Sequence, residues 1–337
     1  MQKTILTPIL LLTITLSFLL ISKAPLAQKY FVDASSQVDE HVGLDDIISR
    51  MNDNNVKRTL LSARSNRSFK KKKGLRRKDV KSLDDLIWKK HIIKWNKKYP
   101  EKIMPMVRTK FGVASLRKQG VELQINSGKF IGIGELLVFH AAKKEKYGKK
   151  PKESAYHFTD DWIEFVISKA IDKKWPVNLH IEFEHLVAGR VSDEKKDGYT
   201  KDILLAELSQ LLNKHMDHPF ILNHLGQLNS AEVLALIEKH PNIYFTTAHT
   251  TKPFSSGWTL IFDEIGSNFL VDWKTLFIKH PNRFVFALDN VWGNMWQASW
   301  YAKQMENWTS AMSELPPDVA NLIAHGNAER LYKLEPK

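Results

Sequence analysis

The sequence contains no cysteine among its 337 residues. This absence excludes disulfide bonds, thiolate metal sites and a cysteine nucleophile. The first predicted strand is not followed by a Gly-rich phosphate loop, which argues against a doubly wound, dinucleotide-binding sheet. No internal repeat is visible, and no segment after residue 21 is long and apolar enough to cross a membrane. The hydrophobic content of 43% is ordinary for a globular protein, and the length allows a large core.

The N-terminus has the pattern of a secretory signal peptide. A basic start containing Lys3 is followed by an apolar stretch from Ile5 to Ile21 and by small residues near Ala27. We therefore expect residues 1–27 to be a signal peptide and the mature protein to be periplasmic or secreted. The alternative is an uncleaved anchor, because Pro25 makes a poor cleavage site. A membrane contact is expected only through this segment, if it is not removed.

The chain is basic, with a formal charge of +13. Much of the excess lies in two clusters, Arg67–Lys78, which has eight Lys or Arg and no acid, and Lys143–Lys152. Such runs are typical of solvated loops, and the alternative is a patch for nucleic acid or another anion. Phe69 is the one aromatic residue of the first cluster that could stack on a base. Nucleic acid is therefore not the expected partner.

Short apolar runs alternate with amphipathic stretches along the whole mature sequence. This alternation is typical of βα units and a parallel sheet. The predicted strands number eight, and they cover residues 29–33, 56–62, 102–107, 130–136, 176–182, 219–224, 242–247 and 283–289. With a helical pattern after each strand, the sequence predicts an α/β fold, a (β/α)8 TIM barrel formed by residues 28–337 as a single domain.

Four of the apolar runs in these predicted strands end on a residue of a type that binds metal ions: Glu135, His180, His224 and Asp289. In an α/β barrel the carboxyl ends of all strands meet at one rim, where active sites lie. Two imidazoles with carboxylates are a reasonable ligand set for one divalent ion, Zn²⁺, Mn²⁺ or Fe²⁺. A water bound there would become a nucleophile near neutral pH, and Asp289 could be a ligand, the general base, or both.

Four short sequence features resemble the amidohydrolase superfamily, and its amidohydrolase-related branch of metal-dependent TIM-barrel hydrolases in particular. Gly326-Asn327-Ala328 is similar to the closing segment of that branch, and His224-Leu225-Gly226 is similar to its sixth-strand His-x-Gly. Asp289 resembles its eighth-strand aspartate, and Gly134-Glu135 resembles a strand end seen in related TatD-type nucleases, whose glutamate is a ligand. The resemblance implies metal-dependent hydrolysis, and the same branch also contains metal-dependent decarboxylases.

The first strand departs from the pattern of this family. The family has Asp-x-His-x-His, and this chain has Asp33-Ala34-Ser35-Ser36-Gln37, so both histidines are replaced. Serine is not a normal zinc ligand, and the amide oxygen of Gln37 suits harder ions. We therefore expect at most a mononuclear site, with Glu135, His180, His224 and Asp289 as its ligands.

Three basic residues follow the second and third strands and should lie on the same rim: Arg64, Arg108 and Lys110. The planar guanidinium group suits carboxylates and phosphates, which predicts a small anionic substrate. Among the remaining candidates, His41 and His249 are expected to be solvent-facing loop residues. His140 and Glu182 could support the ligands, but core or surface roles are the simpler interpretation.

The sequence thus predicts an exported, metal-dependent hydrolase that uses activated water on a C–N or C–O bond. Two alternatives stay open. One is a catalytically impaired barrel that acts as a periplasmic ligand-binding protein, and the other is a metal-dependent decarboxylase.

Overall fold

The computed structural model describes residues 29–38, 42–64, 88–109, 117–141, 153–188, 197–250 and 260–337. The predicted signal peptide, both basic clusters, Lys110 and His41 lie outside these residues. Their predictions therefore stay predictions.

The described strands form two curved sheets. Their bounds are β1 Phe31–Val38, β2 Val56–Ala63, β3 Ile103–Val107, β4 Gly132–Ile133, β5 Leu136–His140, β6 Ser154–Ala155, β7 Val177–Ile181, β8 Phe220–Leu222, β9 Ile243–Thr246 and β10 Phe284–Val285. One sheet has the order β1-β2-β3-β4, and the other has the order β10-β9-β8-β7-β5-β6. All named pairs are parallel except β5 with β6.

The two sheets join into a closed barrel. On one side, β4 continues into β5 through Gly134-Glu135. On the other side, the backbone N–H of Ala34 donates to Phe286 O over 3.0 Å, and that of Asp289 donates to Ser35 O over 2.7 Å. The first strand is thereby bonded to the segment after the last strand. The prediction of a (β/α)8 TIM barrel is confirmed.

Helices connect the strands around the outside. Their bounds are α1 Leu44–Asp53, α2 Lys94–Lys98, α3 Arg117–Asn126, α4 Asp161–Asp172, α5 Phe183–Val187, α6 Lys201–Lys214, α7 Ser230–Lys239, α8 Val271–Lys279, α9 Ala298–Met312, α10 Pro317–Asn321 and α11 Asn327–Tyr332. Short 3₁₀ turns cover Asn223–Gln227, Pro281–Arg283 and Gly293–Trp296, and π-helical turns cover Trp88–Ile93 and Leu322–Gly326. None of the helices in the described part of the chain is long and apolar enough to pass through a lipid bilayer.

The core has two parts because the strands are apolar on both faces. The larger part lies between the strands and the helices and includes Phe31, Phe139 and Phe286. The smaller part fills the barrel interior with side chains such as Val32, Leu60 and Ile221 and is closed by residues of α11. A fully buried side chain of this kind stabilises the fold by about 1.5–3 kcal/mol.

Three predicted strands differ from the observed ones. The first does not end at Asp33, because β1 continues to Val38 and so contains Ser35 and Gln37. The fourth is interrupted at Gly134, where an added Cβ would lie 2.8 Å from Val107 O. This contact explains the glycine as a close-packing residue. The last strand covers only Phe284–Val285, and residues 286–290 continue in an extended path bonded to β1.

Candidate metal centre at the barrel rim

The four side chains that end the apolar runs are linked by successive contacts, from His180 to Glu135, His224 and Asp289. Glu135 lies between β4 and β5, and His180 belongs to β7. His224 follows β8, and Asp289 follows β10. The shortest distances are 2.5 Å from His180 Nδ1 to Glu135 Oε1, 3.3 Å from His224 Nε2 to Glu135 Oε1, and 3.6 Å from His224 Nε2 to Asp289 Oδ2. The barrel therefore brings residues together that are up to 154 positions apart in the sequence.

Glu135 is the point at which the contacts converge. Its Oε1 accepts hydrogen bonds from His180 Nδ1 and from the amide of Asn223, over 2.5 and 3.2 Å. Burial alone would raise the pKa of this carboxyl group, but the positive charge and hydrogen bond of His180 outweigh it. The pKa of Glu135 is consequently well below its usual range.

His180 is hydrogen-bonded through both ring nitrogens to carboxylates. Nδ1 donates to Glu135, and Nε2 donates to Glu182 Oε1 over 3.2 Å. Burial works to lower the pKa of His180, but Glu135 and then Glu182 raise it to about 10. Because a ring that donates through both nitrogens is an imidazolium, His180 is charged in this arrangement.

Glu182 holds that imidazolium in place. Its Oε2 accepts the backbone N–H of Ala141 over 2.6 Å and His185 Nδ1 over 2.9 Å. The ring of His140 stacks on His180 with centroids 5.1 Å apart. Glu182 is therefore buried, as a core role requires, and it also supports a site residue, which is the alternative that the sequence left open.

Asp289 is buried opposite Glu135. The amide of Gln37 donates to its Oδ1 over 3.4 Å, and its Oδ2 lies 3.6 Å from Nε2 of both His224 and His249. Burial, followed by the negative charge of Glu135, raises the pKa of Asp289 to about 7.

Three residues of the cluster have left-handed backbone conformations. His224, His249 and Asp289 have φ angles of 55°, 55° and 47°. Such angles are uncommon for residues other than glycine and cost free energy, and they concentrate at functional sites. The fold holds these three side chains in place against that cost.

The expectation that His249 is a solvent-facing loop residue is wrong. Its side chain is only 9% exposed, and its ring stacks on that of His224 with centroids 4.8 Å apart and an interplanar angle of 6°. The sequence did offer a signal, since His249 lies three residues beyond the end of β9, the seventh barrel strand. Burial lowers the pKa of His249 well below its usual value, and the neighbouring His224 lowers it further.

A small cavity lies where the family pattern would place the first-strand histidines. It has room for about one water molecule, and its lining includes Ser35, Gln37, Ser62, Glu135 and Asn178. Asp33, the first residue of the segment Asp33–Gln37, has a structural role. It accepts hydrogen bonds from Ser36 Oγ, Thr59 Oγ1 and the backbone N–H of Leu288. The replaced residues therefore leave polar space beside Glu135.

Two of the three predicted anion-binding residues are described. Arg64 follows β2, donates from Nη1 to Val291 O over 3.2 Å, and lies with its guanidinium 3.6 Å from the Trp292 ring centroid. Arg108 follows β3 and is buried, and its backbone is bonded to the side chain of Gln124. Both lie on the carboxyl side of their strands, as the metal-type residues do.

The sequence profile of the amidohydrolase family matches residues 153–334, more than half of the chain. The chain belongs to the amidohydrolase family. No curated protein shows significant similarity to it.

Solved structures of amidohydrolase-type barrels share the fold at low sequence identity. 5-Carboxyvanillate decarboxylase from Novosphingobium aromaticivorans, solved with manganese and 4-hydroxy-3-methoxy-5-nitrobenzoic acid, is 11% identical, with a TM-score of 0.53 over 90% of this chain and 96% of that one. 4-Oxalomesaconate hydratase from Rhodopseudomonas palustris is 14% identical, with a TM-score of 0.53 and the same two coverages. 2,6-Dihydroxybenzoate decarboxylase, solved with 2,6-dihydroxybenzoate, is 12% identical, with a TM-score of 0.52 over 90% of this chain and 99% of that one.

The donor atoms of this amidohydrolase barrel fit a divalent cation. Two sets of candidate ligands have His224 in common: Glu135–His180–His224 and His224–His249–Asp289. The ligand atoms within each set lie within 4.8 Å of one another. His224 Nδ1 donates to Ala248 O over 3.3 Å. This bond places the ring proton on Nδ1 and turns Nε2 toward Glu135 and Asp289, the usual orientation of a metal-binding histidine.

Proposed function

We propose that this chain is a metal-dependent hydrolase of the amidohydrolase type, which cleaves a C–N or C–O bond of a small anionic substrate with activated water. One observation carries the proposal. Imidazole and carboxylate groups from separate strands converge on a buried point at the carboxyl rim, with His224 Nε2 3.3 Å from Glu135 and 3.6 Å from Asp289. Membership of the amidohydrolase family supports it.

The ligands proposed for one divalent ion are Glu135, His180, His224 and Asp289. Their donor types suit Zn²⁺, Mn²⁺ or Fe²⁺. Such an ion, when bound, acidifies a water molecule and polarises the bond to be cleaved.

Asp289 is proposed to move the proton. Gln37 holds its Oδ1, and its Oδ2 faces His224 and His249. A buried carboxylate fixed in this way can accept a proton from the attacking water at Oδ2 and return it to the leaving group. Glu182 has a positioning role, because its hydrogen bond to His180 fixes the ring that contacts Glu135.

Arg64 and Arg108 are proposed to select the substrate, together with Lys110. A guanidinium group binds a carboxylate through two parallel hydrogen bonds. The stacking of Arg64 on Trp292 fixes the plane of that fork and leaves an aromatic wall beside it. We therefore propose a small carboxylic acid as the class of substrate.

Metal analysis of the purified full chain tests the proposal. We expect close to one transition metal ion per chain, lost in His224→Ala. The matched control is His240→Ala, since His240 contacts Ser209 at a helix-to-strand turn and should leave the metal content unchanged. A wild-type protein that takes up no Zn²⁺, Mn²⁺ or Fe²⁺ on reconstitution would contradict the proposal.

Activity on a panel of N-acyl amino acids, lactones and carboxylate esters then identifies the reaction. Hydrolysis should stop on chelation and return with added metal. Asp289→Asn, assayed at a saturating concentration of the metal, should lower kcat by about 10²–10⁴-fold, because a general base contributes about that much. Release of CO₂ from an aromatic carboxylic acid, without hydrolysis of the panel, would favour the decarboxylase alternative.

A ligand-binding barrel without catalysis is a second candidate, favoured by a specific observation. His180 is bonded at both nitrogens, and the first strand contributes Ser35 and Gln37 in place of histidines. Tight binding of a carboxylate by a metal-free, inactive protein would support that candidate.

A further inference from the structure

His249 is the largely buried imidazole of the rim that the family pattern leaves without a role. Its Nε2 lies 3.6 Å from Asp289 Oδ2, and His224 Nε2 lies 3.6 Å from the same oxygen. The two rings are nearly parallel, with an interplanar angle of 6°. Two imidazoles that follow consecutive barrel strands therefore lie at the same distance from one carboxylate oxygen.

These spacings match those between ligands of one ion. Ligand atoms that lie about 2.1 Å from a tetrahedral ion are about 3.4 Å from each other. The distances of 3.3 Å from His224 to Glu135 and 3.6 Å from each histidine to Asp289 are close to that value.

The contact of His180 with Glu135 is of a different kind. At 2.5 Å it is shorter than the separation of two ligand atoms on one ion and has the length of a hydrogen bond. The second nitrogen of His180 is bonded to Glu182. His180 would have to break one of these bonds to coordinate an ion, whereas His224 already directs Nε2 toward the centre.

We propose that His249 Nε2 is a ligand of the divalent ion, together with His224 Nε2, Asp289 and Glu135, and that it supplies an imidazole which the first strand no longer provides. This inference rests on the proposed metal dependence and changes its ligand set. His180 then acts as a positioning residue that holds Glu135 through its hydrogen bond.

Coordination requires that the ring proton of His249 move from Nε2 to Nδ1. His249 Nε2 lies 3.0 Å from the backbone O of Asp289 and donates to it. In the bound state the proton occupies Nδ1, and Nε2 offers its lone pair to the ion. The exchange is a tautomer change of a neutral ring, so no net charge moves.

Competition between the full chain and a chromophoric chelator for Zn²⁺ tests the inference. We expect His249→Ala to weaken Zn²⁺ binding at least about tenfold, because even residues that only orient a ligand contribute about 10–100-fold. His249→Gln, which keeps a polar side chain, should weaken it similarly, and circular dichroism should show that both variants are folded.

The matched control is His157→Ala. His157 is also partly buried, bonded to a carboxylate (Glu207) and stacked on an aromatic ring (Tyr199), and its described contacts lie outside the rim cluster. Its removal should leave Zn²⁺ affinity unchanged. The visible spectrum of the Co²⁺ form provides a readout independent of activity, and it should change in His249→Gln but not in His157→Ala.

The outcomes separate this inference from the proposed function. If the wild type binds Zn²⁺, His224→Ala loses it and folded His249→Gln keeps full affinity and an unchanged Co²⁺ spectrum, His249 is not a ligand but metal dependence stands. If the wild type binds neither Zn²⁺ nor Co²⁺, both are wrong.

Discussion

Asp33 Oδ1 accepts a hydrogen bond from the backbone N–H of Leu288 over 2.9 Å, which joins the first strand of the barrel to the residue before Asp289. The other oxygen of Asp33 accepts from Ser36 Oγ over 2.6 Å and from Thr59 Oγ1 over 2.9 Å. One buried carboxylate thus ties β1 and β2 to the segment that carries a proposed ligand. Closure of the barrel and placement of Asp289 are linked through this residue.

Replacement of Asp33 by alanine should destabilise the protein by about 2–4 kcal/mol, because each buried donor that loses its partner costs about 1–3 kcal/mol. Asp33→Asn should cost less, since its amide oxygen still accepts. Urea unfolding measures both. A decrease in unfolding free energy below about 0.5 kcal/mol for Asp33→Ala would show that this carboxylate does not stabilise the closed barrel.

The same residue predicts a pH dependence. Burial raises the pKa of Asp33 from its ordinary value of 3.8 to about 6, although the hydrogen bonds that the carboxylate accepts oppose this increase. The folded state therefore binds the proton more tightly than the unfolded state. Protonation of Asp33 therefore contributes to the free energy of unfolding. The contribution is fully present below about pH 4 and is lost as the pH rises through about 6, with about 1.4 kcal/mol for each unit of pKa shift.

Asp33→Asn removes that titration. The difference in unfolding free energy between wild type and Asp33→Asn should accordingly shift in favour of the variant between pH 4.5 and pH 7. A difference that stays constant over this range would contradict the raised pKa.

The pair His180–Glu182 allows a second test of charge in the core. Glu182→Ala leaves the imidazolium of His180 and the N–H groups of Ala141 and His185 without their acceptor. Breaking a buried ion pair on one side costs about 3–5 kcal/mol. Chemical denaturation at pH 7 should show a loss of that order, and a smaller one in Glu182→Gln.

The pKa of His180, raised to about 10, gives the pH window. A raised histidine pKa stabilises the folded state fully below about pH 6.5, and the stabilisation is lost as the pH rises toward 10. We expect the wild type to lose stability between pH 7 and pH 9.5. In Glu182→Gln the slope should be shallower but not flat, because Glu135 makes the larger contribution. An identical slope would assign the effect to other groups.

The fold was predictable because its signal is local. Runs such as PVNLH and PFILNH are apolar enough to be buried strands, and their alternation with helical patterns determines a barrel. The convergence of Glu135, His180, His224 and Asp289 followed from the rule that strand ends share a rim.

Other features depend on tertiary contacts that the local pattern indicates only in part. His249 is brought against His224 by a left-handed turn after β9, and a turn of that kind has no signature in Thr247-Ala248-His249. The contacts of Glu182 with Ala141 and His185, and the split between β4 and β5, likewise arise from packing between neighbouring strands.

Arg64 should control the binding of small carboxylates. Its guanidinium is held between Val291 O and the Trp292 ring, beside the rim. Titration calorimetry with benzoate should show binding weakened about tenfold or more in Arg64→Ala, since hydrogen bonds to charged groups contribute about 1.5–3 kcal/mol. Arg64→Lys should be intermediate, because it keeps the charge without the planar fork.

The control for Arg64 is Arg283→Ala, a cation that precedes β10 at the opposite end of the barrel and contacts Pro241. Its affinity for benzoate should equal that of the wild type. Equal weakening in both variants would assign the effect to net charge instead of to a site.

Restoring the missing histidines is the most direct test of the rim geometry. Ser35 and Gln37 line the polar cavity beside Glu135, and Gln37 already contacts Asp289. The double variant Ser35→His and Gln37→His therefore adds two imidazoles where the family pattern has them. Zn²⁺ affinity, measured by chelator competition, should rise at least about tenfold, by analogy with the effect of residues that support metal ligands. Ser35→Ala with Gln37→Ala controls for disturbance of the strand and should show no rise. If the histidine variant is folded and its affinity equals that of the alanine control, the space beside Glu135 does not open onto the remaining ligands, and the proposed metal centre is misplaced.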